Sequence, residues 1–284
     1  MAKVPEGVDP RQLTVVARRV LLDGLDALRD HLSAVTVVGA QAVYLRTPDA
    51  AISNAPFTSD GDLSVDPELL DEEPHLDDLL REAGFELLKE HEPGLWARQE
   101  RFGDKTIPVE LDILIPKQLS PGLGRRSAKI PPHGNMSARW IDGLEVAAVD
   151  RSPMHVNSLD PADSRSITVS VAGPAALLVA KAFKITDRLS QATKRPDRLT
   201  DKDAGDVLRI MMTTRPREVA AAFSMLREDP RVGDIAAQGL DKLHELFGGA
   251  ATPGVDMAVS ALSGDVPEQR IRTLAPTFVS RLKS

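Results

Sequence analysis

The spacing of apolar residues changes near residue 173, and this change limits the possible folds more than any other feature of the chain. Upstream, TIPVELDILIP (residues 106–116) sets Val109, Leu111 and Ile113 on one side and Glu110 and Asp112 on the other. A period of two describes a strand with one packed face and one polar face. GFELLKEH, GLWARQERF, LEVAAVD and SITVSVAG read as further strands, separated by Gly, Pro and Asp. Downstream, PAALLVAKAFKITDRL, DKDAGDVLRIMMTT, REVAAAFSMLRE, RVGDIAAQGLDKLHELF and PEQRIRTLAPTFVSRL repeat at helical spacing. The expected class is α+β: a mixed-sheet domain over residues 1–172, followed by a helical domain over 173–284. RQLTVVARRVLLDGLDALRDHL (residues 11–32) is expected to open the first domain as a helix, and SAVTVVGAQAVYL to form a strand, a glycine turn and a helix. SPGLGRRSAKIPPHG, residues 120–134, reads as a mobile loop on the sheet.

The absence of cysteine rules out disulfides and thiolate chemistry, so a bound metal is expected on oxygen ligands, with magnesium the default. No apolar run is long enough to span a bilayer, and the N-terminal residues do not read as a secretory signal, so no membrane partner and a cytoplasmic location are expected. The net charge of −7 argues against a generally basic surface. The charge is unevenly placed, however. Residues 60–78 carry acids and no Lys or Arg, whereas 181–198 hold Lys181, Lys184, Arg188, Lys194, Arg195 and Arg198 against only Asp187 and Asp197.

Within FTSDGDLSVDP, Asp60 and Asp62 stand at i and i+2, which puts both carboxylates on one face of a strand while Leu63 and Val65 alternate with them. Two adjacent carboxylates repel unless a cation neutralises them, and magnesium is commonly held by one or two carboxylates together with substrate phosphates. If the strand bearing Glu110 and Asp112 lies beside this one, three or four carboxylates converge, with Asp112 a third ligand or a base. The plainer readings are a solvated Asp-Gly-Asp turn for the first pair and a wet strand face for the second. The Gly39-Ala40 turn before a helix would direct backbone N–H groups outward, as a phosphate cradle requires.

Taken together, TVVGAQAVYLRTPDAAISNAPFTSDGDLSV resembles the signature of the DNA polymerase β-type nucleotidyltransferase superfamily. LLVAKAFKITDRLSQATKRPDRLTDKDAGDVLRIM resembles the lysine-helix and Lys-Asp-x-x-Asp signatures of the AbiEii and MenT type of nucleotidyltransferase-like toxins. The residues that match are Gly39, Ser59, Asp60, Asp62, Lys181, Lys202, Asp203 and Asp206, and the likeness runs from about residue 35 to 212. Ala40 stands where those families place a second glycine or a serine. The resemblance implies an enzyme that transfers a nucleotide, a pyrimidine nucleotide in the MenT-like branch, from an NTP to the 3′ end of tRNA as the toxin of a toxin-antitoxin system, with a cognate antitoxin as a further partner. It assigns magnesium to Asp60 and Asp62, catalysis to Asp60, Asp62, Lys181 and Asp203, and nucleotide binding to Gly39, Ser59 and Lys181; the residue pattern adds Asp112 to the metal ligands from its strand position, and Ala40 and Arg188 to nucleotide binding from the turn and the helix spacing. The alternatives are an antibiotic-type transferase acting on a small molecule, with residues 66–78 as its acidic pocket, and a non-catalytic binding protein.

Overall fold

We describe residues 6–50, 52 and 58–283 of a computed structural model. The N-terminal stretch 1–5, and residues 51 and 53–57 inside the segment that carries the resemblance, lie outside the described residues. In chain order the elements are α1 (Pro10–Ala27), β1 (Val35–Val38), α2 (Gly39–Arg46), β2 (Asp60–Val65), α3 (Leu76–Glu82), β3 (Glu86–Leu87), β4 (Leu95–Phe102), β5 (Lys105–Pro116), β6 (Arg139–Ile141), β7 (Arg151–Asn157) and β8 (Ser166–Ala172). Helices follow: α4 (Pro174–Ser190), α5 (Lys202–Thr213), α6 (Pro216–Glu228), α7 (Gly233–Phe247), α8 (Pro253–Ala261) and α9 (Glu268–Ser280). The chain is therefore α+β, with the strands gathered ahead of residue 173.

The strands form one sheet in the order β3-β4-β5-β2-β1-β8-β7, with β6 paired to β5. It is a mixed sheet: β2 runs parallel to β5 and β1 parallel to β8, while β1 and β2, β4 and β5, and β7 and β8 are antiparallel. The alternation in β5 is realised as expected, with Val109, Leu111 and Ile113 buried at 1%, 0% and 0% exposure. Each contributes on the order of 1.5–3 kcal/mol by leaving water. The cover for that face is α1. Its Gly24 lies so close to the Leu111 side chain that a Cβ would approach a methyl to 2.4 Å, and Gly61 of β2 lies against Leu21 and Leu111. The polar residues of β2 and β5 consequently face the other way.

Three local expectations change. LEVAAVD is not a strand: Glu145–Ala148 forms a 3₁₀ turn, held by the Glu145 carboxylate, which accepts the N–H groups of Gly143 and Gln118. That pairing of a buried acid with local backbone donors outcompetes strand pairing. The next segment, RSPMHVN, forms β7 at the sheet edge, a place where a strand proline such as Pro153 is tolerated. The first helix ends at Ala27, and Arg29–His31 continues as a separate 3₁₀ turn. The segment 120–134 is a loop closed on itself by a bridge between Leu123 and Ala128, with Ala128 and Ile130 buried, and joined to the sheet by a bridge from Ser127 to Arg139.

The residue 172/173 boundary falls between β8 and α4, and apolar residues from both sides belong to one buried cluster. A polar tie spans the same boundary: Arg231, between α6 and α7, donates to both oxygens of the buried Asp66 carboxylate at 2.8 and 2.9 Å. Among the described residues no helix is long and apolar enough to cross a membrane.

Candidate active site

The sheet carries the acidic side of the site. β2 and β5 lie in parallel register with Asp60 beside Glu110 and Asp62 beside Asp112, so the two carboxylate pairs predicted from alternation form two adjacent rungs on one face. The Asp60 side chain accepts the hydroxyl of Thr58 at 2.5 Å, and its backbone carbonyl accepts Gln41 Nε2 at 3.2 Å. Gln41 is fixed in turn by buried Arg18, whose Nε donates to Gln41 Oε1 at 2.7 Å. Burial takes that guanidinium down to about 10.

Asp62 sits against the first residue of α2. Gly39 has φ +66°, and a Cβ there would stand 1.9 Å from Asp62 Oδ2. Glycine is thus required twice, by the backbone and by the neighbouring carboxylate. No side-chain hydrogen bond caps α2, and Ala40 of its first turn lines the cavity described below. Burial raises the Asp62 carboxyl above its usual range and Asp60 pushes it further, against Lys184, Lys181 and Arg139. Burial also raises Asp112 well above that range, with Arg139 opposing and Asp62, Asp60 and Glu110 adding. Glu110 is raised by burial and then by Asp60.

The cationic side comes from α4 and α5. Lys181 is 5% exposed and donates to Asp203 at 2.7 Å and to Asp206 at 2.6 Å. Burial would pull the ammonium down, but the two carboxylates overcome it and hold the group above its ordinary range. Asp203 also receives Arg188 at 2.7 Å and Lys184 at 3.3 Å. Burial would raise Asp203; Lys181, Lys184 and Arg188 together drive it below its ordinary range instead. Lys202, at the start of α5, is lowered by burial, with Asp60 and Asp206 working against that.

These two sides meet across a cavity of about 220 Å³, lined by Ala40, Asp60 and Asp62 from the sheet side and by Lys181, Lys184, Arg188, Lys202 and Asp203 from the helices, with Asp197, Arg198 and Thr200 at the connecting turn. Five of its side chains are cationic and four are carboxylates. Of the residues read from the sequence, Ala40, Asp60, Asp62, Lys181, Arg188 and Asp203 line this one space, and Gly39 touches it through Asp62. Ser59 does not line it. The hydroxyl that reaches Asp60 belongs to Thr58, one residue earlier. Asp112 lies beside Asp62, but its Oδ2 is ion-paired with Arg139 and its Oδ1 is enclosed without a hydrogen-bond partner. Lys181 and Arg188 are not open point charges: both are engaged by Asp203.

A larger groove, about 660 Å³, lies on the helical side, and Arg270 and Arg281 are the ionisable side chains lining it. No carboxylate lines it, so it lacks the anionic oxygen ligands that a magnesium ion takes.

Magnesium suits the donor set at Asp60 and Asp62: two hard oxygen ligands on one strand face, desolvated and mutually repelling, with an enclosed unpartnered oxygen of Asp112 next to them. Among the described residues no three or more His, Cys, Asp or Glu side chains form a ready metal cluster. Comparison with known proteins adds no relative: no family model, no curated protein and no solved structure matches the chain.

Proposed function

We propose that this chain is a metal-dependent nucleotidyltransferase that takes a nucleotide from an NTP. The observation that carries the reading is the meeting of Asp60 and Asp62 with the Lys181, Lys184, Arg188 and Lys202 wall across one small cavity. Neither half would need the other in a purely structural role; an anionic, metal-bound substrate needs both. A cavity near 220 Å³ is smaller than the roughly 300 Å³ at which pockets for whole drug-sized ligands begin, which suits the phosphate end of a nucleotide with the nucleoside toward the mouth.

Magnesium held by Asp60 and Asp62 would neutralise triphosphate oxygens and align them for in-line displacement. The chain's own residues do the remainder. The N-terminal turn of α2, whose Ala40 lines the cavity, would meet the phosphates from one end, and Lys184 and Lys202 from the other. Asp203 and Asp206 lock Lys181, and Asp203 anchors Lys184 and Arg188, so the positive wall is set before substrate arrives; preorganisation of this kind is the main electrostatic contribution to transfer. An acceptor hydroxyl oxygen bonds the α-phosphorus, the bond to the bridging oxygen breaks, and pyrophosphate leaves. The hydroxyl proton would pass to a carboxylate of this strand face, and Glu110, in register with Asp60, is the residue proposed for it.

The acceptor in this reading is RNA, with the 3′ end of tRNA the specific expectation, and the protein a toxin with a cognate antitoxin. Its support is positional: Arg198 lines the cavity, and exposed Lys194 and Arg195 precede it on the same connection. The small-molecule alternative needs the acid-rich stretch 66–78 in the pocket. That stretch follows the far end of β2, where Asp66 is bound by Arg231, and none of it lines the cavity.

The test is direct. Purified protein with magnesium and each labelled NTP in turn is given total RNA; label should enter the tRNA fraction at its 3′ end, and Asp60→Ala should abolish it. Label on a small hydroxylated compound would replace RNA as acceptor, and no transfer with no NTP binding would end the catalytic reading.

A further inference from the structure

We infer that Arg139 takes the place of a second divalent cation beside Asp60 and Asp62, so that the site is built to hold one metal ion rather than two. The inference rests on reading the Asp60 and Asp62 pair as a magnesium site. Two registered rungs, Asp60 with Glu110 and Asp62 with Asp112, give four carboxylates on one face, a supply of oxygen donors that would suit two metal ions about 3.5–4 Å apart.

The second rung is already occupied. Arg139 is carried on β6, where Leu114 and Arg139 are register partners, and its Nη2 reaches back along β5 to ion-pair with Asp112 Oδ2. Asp112 is only 7% exposed. Its Oδ1 and the Arg139 Nε are both enclosed without hydrogen-bond partners. A metal ion at Asp112 would have to bind through that single enclosed oxygen, or expel the guanidinium and leave its charge without a carboxylate in a largely buried place. Both are unfavourable, because a buried ion that loses its partner keeps its desolvation penalty. A guanidinium suits this position: it is always charged, weakly hydrated and planar, and it neutralises a carboxylate without adding a coordination shell that would crowd the substrate.

The experiment counts metal ions on the full chain, using manganese as the probe in place of magnesium, by titration calorimetry and by the electron paramagnetic resonance of free ion, with and without a non-hydrolysable NTP analogue. Wild type should take one ion per chain. Folded Arg139→Ala should take two, because the freed Asp112 rung then needs a cation, while Arg139→Lys, which keeps the charge, should stay at one. Two ions on wild type, or one on folded Arg139→Ala, overturns the inference. If Arg139→Ala does not fold, Asp112→Asn decides: the count stays at one and manganese affinity changes less than about threefold if Asp112 serves only Arg139, whereas a tenfold loss makes Asp112 a ligand and overturns it. No manganese on wild type at any concentration would defeat the metal reading of Asp60 and Asp62 itself, and this inference with it.

Discussion

Gly39 and Asp62 are in such close contact that no side chain fits between them: a Cβ on Gly39 would lie 1.9 Å from Asp62 Oδ2. The backbone of Gly39 is also left-handed, at φ +66°. Gly39→Ala should therefore cost about 1–2 kcal/mol in stability from the backbone alone. Its larger effect should fall on function, since the new methyl group must move the Asp62 carboxylate by more than the roughly 0.5 Å that a catalytic constellation tolerates. Nucleotidyl transfer should drop by about 10² or more, while urea unfolding remains cooperative. Unchanged transfer in a folded Gly39→Ala protein would mean that the Asp62 position is not critical.

The buried ion cluster separates two lysines that the helix spacing alone treats alike. Lys181→Met would leave Asp203 and Asp206 enclosed without their shared ammonium, and should cost about 3–5 kcal/mol. Lys184, with its side chain 49% exposed, should cost no more than about 0.5 kcal/mol as Lys184→Ala. Its transfer rate should nevertheless fall by about tenfold or more, because it faces the cavity. Loss of activity in Lys181→Met reports folding and chemistry together, so Lys184→Ala is the cleaner measure of charge at the phosphate site. Equal stability of the two variants in urea would contradict the geometry.

What could be read from the sequence follows from periodicity. The Asp60 and Asp62 pair, the Glu110 and Asp112 pair and their common face were legible because a packed strand face leaves a strict alternation, and the 181, 184, 188 spacing put three cations on one side of α4. The hydroxyl that bonds Asp60 belongs to Thr58, which precedes β2 and so lies outside the stretch where alternation can be read. Arg139 left no comparable trace. It sits on a three-residue strand after a proline-rich loop, and its partner is 27 positions away, a distance set by tertiary pairing alone. The double engagement of Lys181 was half visible: Asp203 and Asp206 stand three apart on a helix face, but nothing local says that both point at one buried ammonium.

Buried His133 should make stability depend on pH. His133 is 6% exposed; its Nδ1 accepts the Leu76 N–H at 3.3 Å, so its Nε2 carries the proton and donates to the Asp71 carbonyl at 3.1 Å. His31 and His75 lie with ring centroids 5.9 Å away on either side. Burial lowers the His133 pKa below 6.5, His31 and His75 lower it further, and the Asp71 carbonyl and Asp77 oppose. A histidine lowered on folding binds more protons when unfolded, so its contribution is present above 6.5 and lost as pH falls through the folded value. Unfolding free energy from urea titrations should decline between pH 7.5 and 5.5, and the decline should be smaller in His133→Gln. A slope that His133→Gln leaves unchanged would move the effect to another group.

The last prediction has an unusual sign. Removing a charged group from a site usually destabilises a protein, but Asp62 is desolvated and repelled by Asp60, and Gly39 blocks its retreat. In protein stripped of divalent ions by chelator, Asp62→Asn should therefore unfold at a higher temperature than wild type, because the amide keeps the shape and removes the repulsion. Adding magnesium and a non-hydrolysable NTP analogue should reverse the order. Ligand that binds only the native state stabilises it by about 2.7 kcal/mol at a hundredfold excess over its dissociation constant, and each kcal/mol moves the midpoint by about 2–4 °C in a domain of 150–250 residues. Wild type should thus gain several degrees and overtake a variant that gains almost none. Two melting curves per protein suffice. If Asp62→Asn is the less stable protein without metal, the pair is already compensated within the fold, and the argument that it waits for a cation fails.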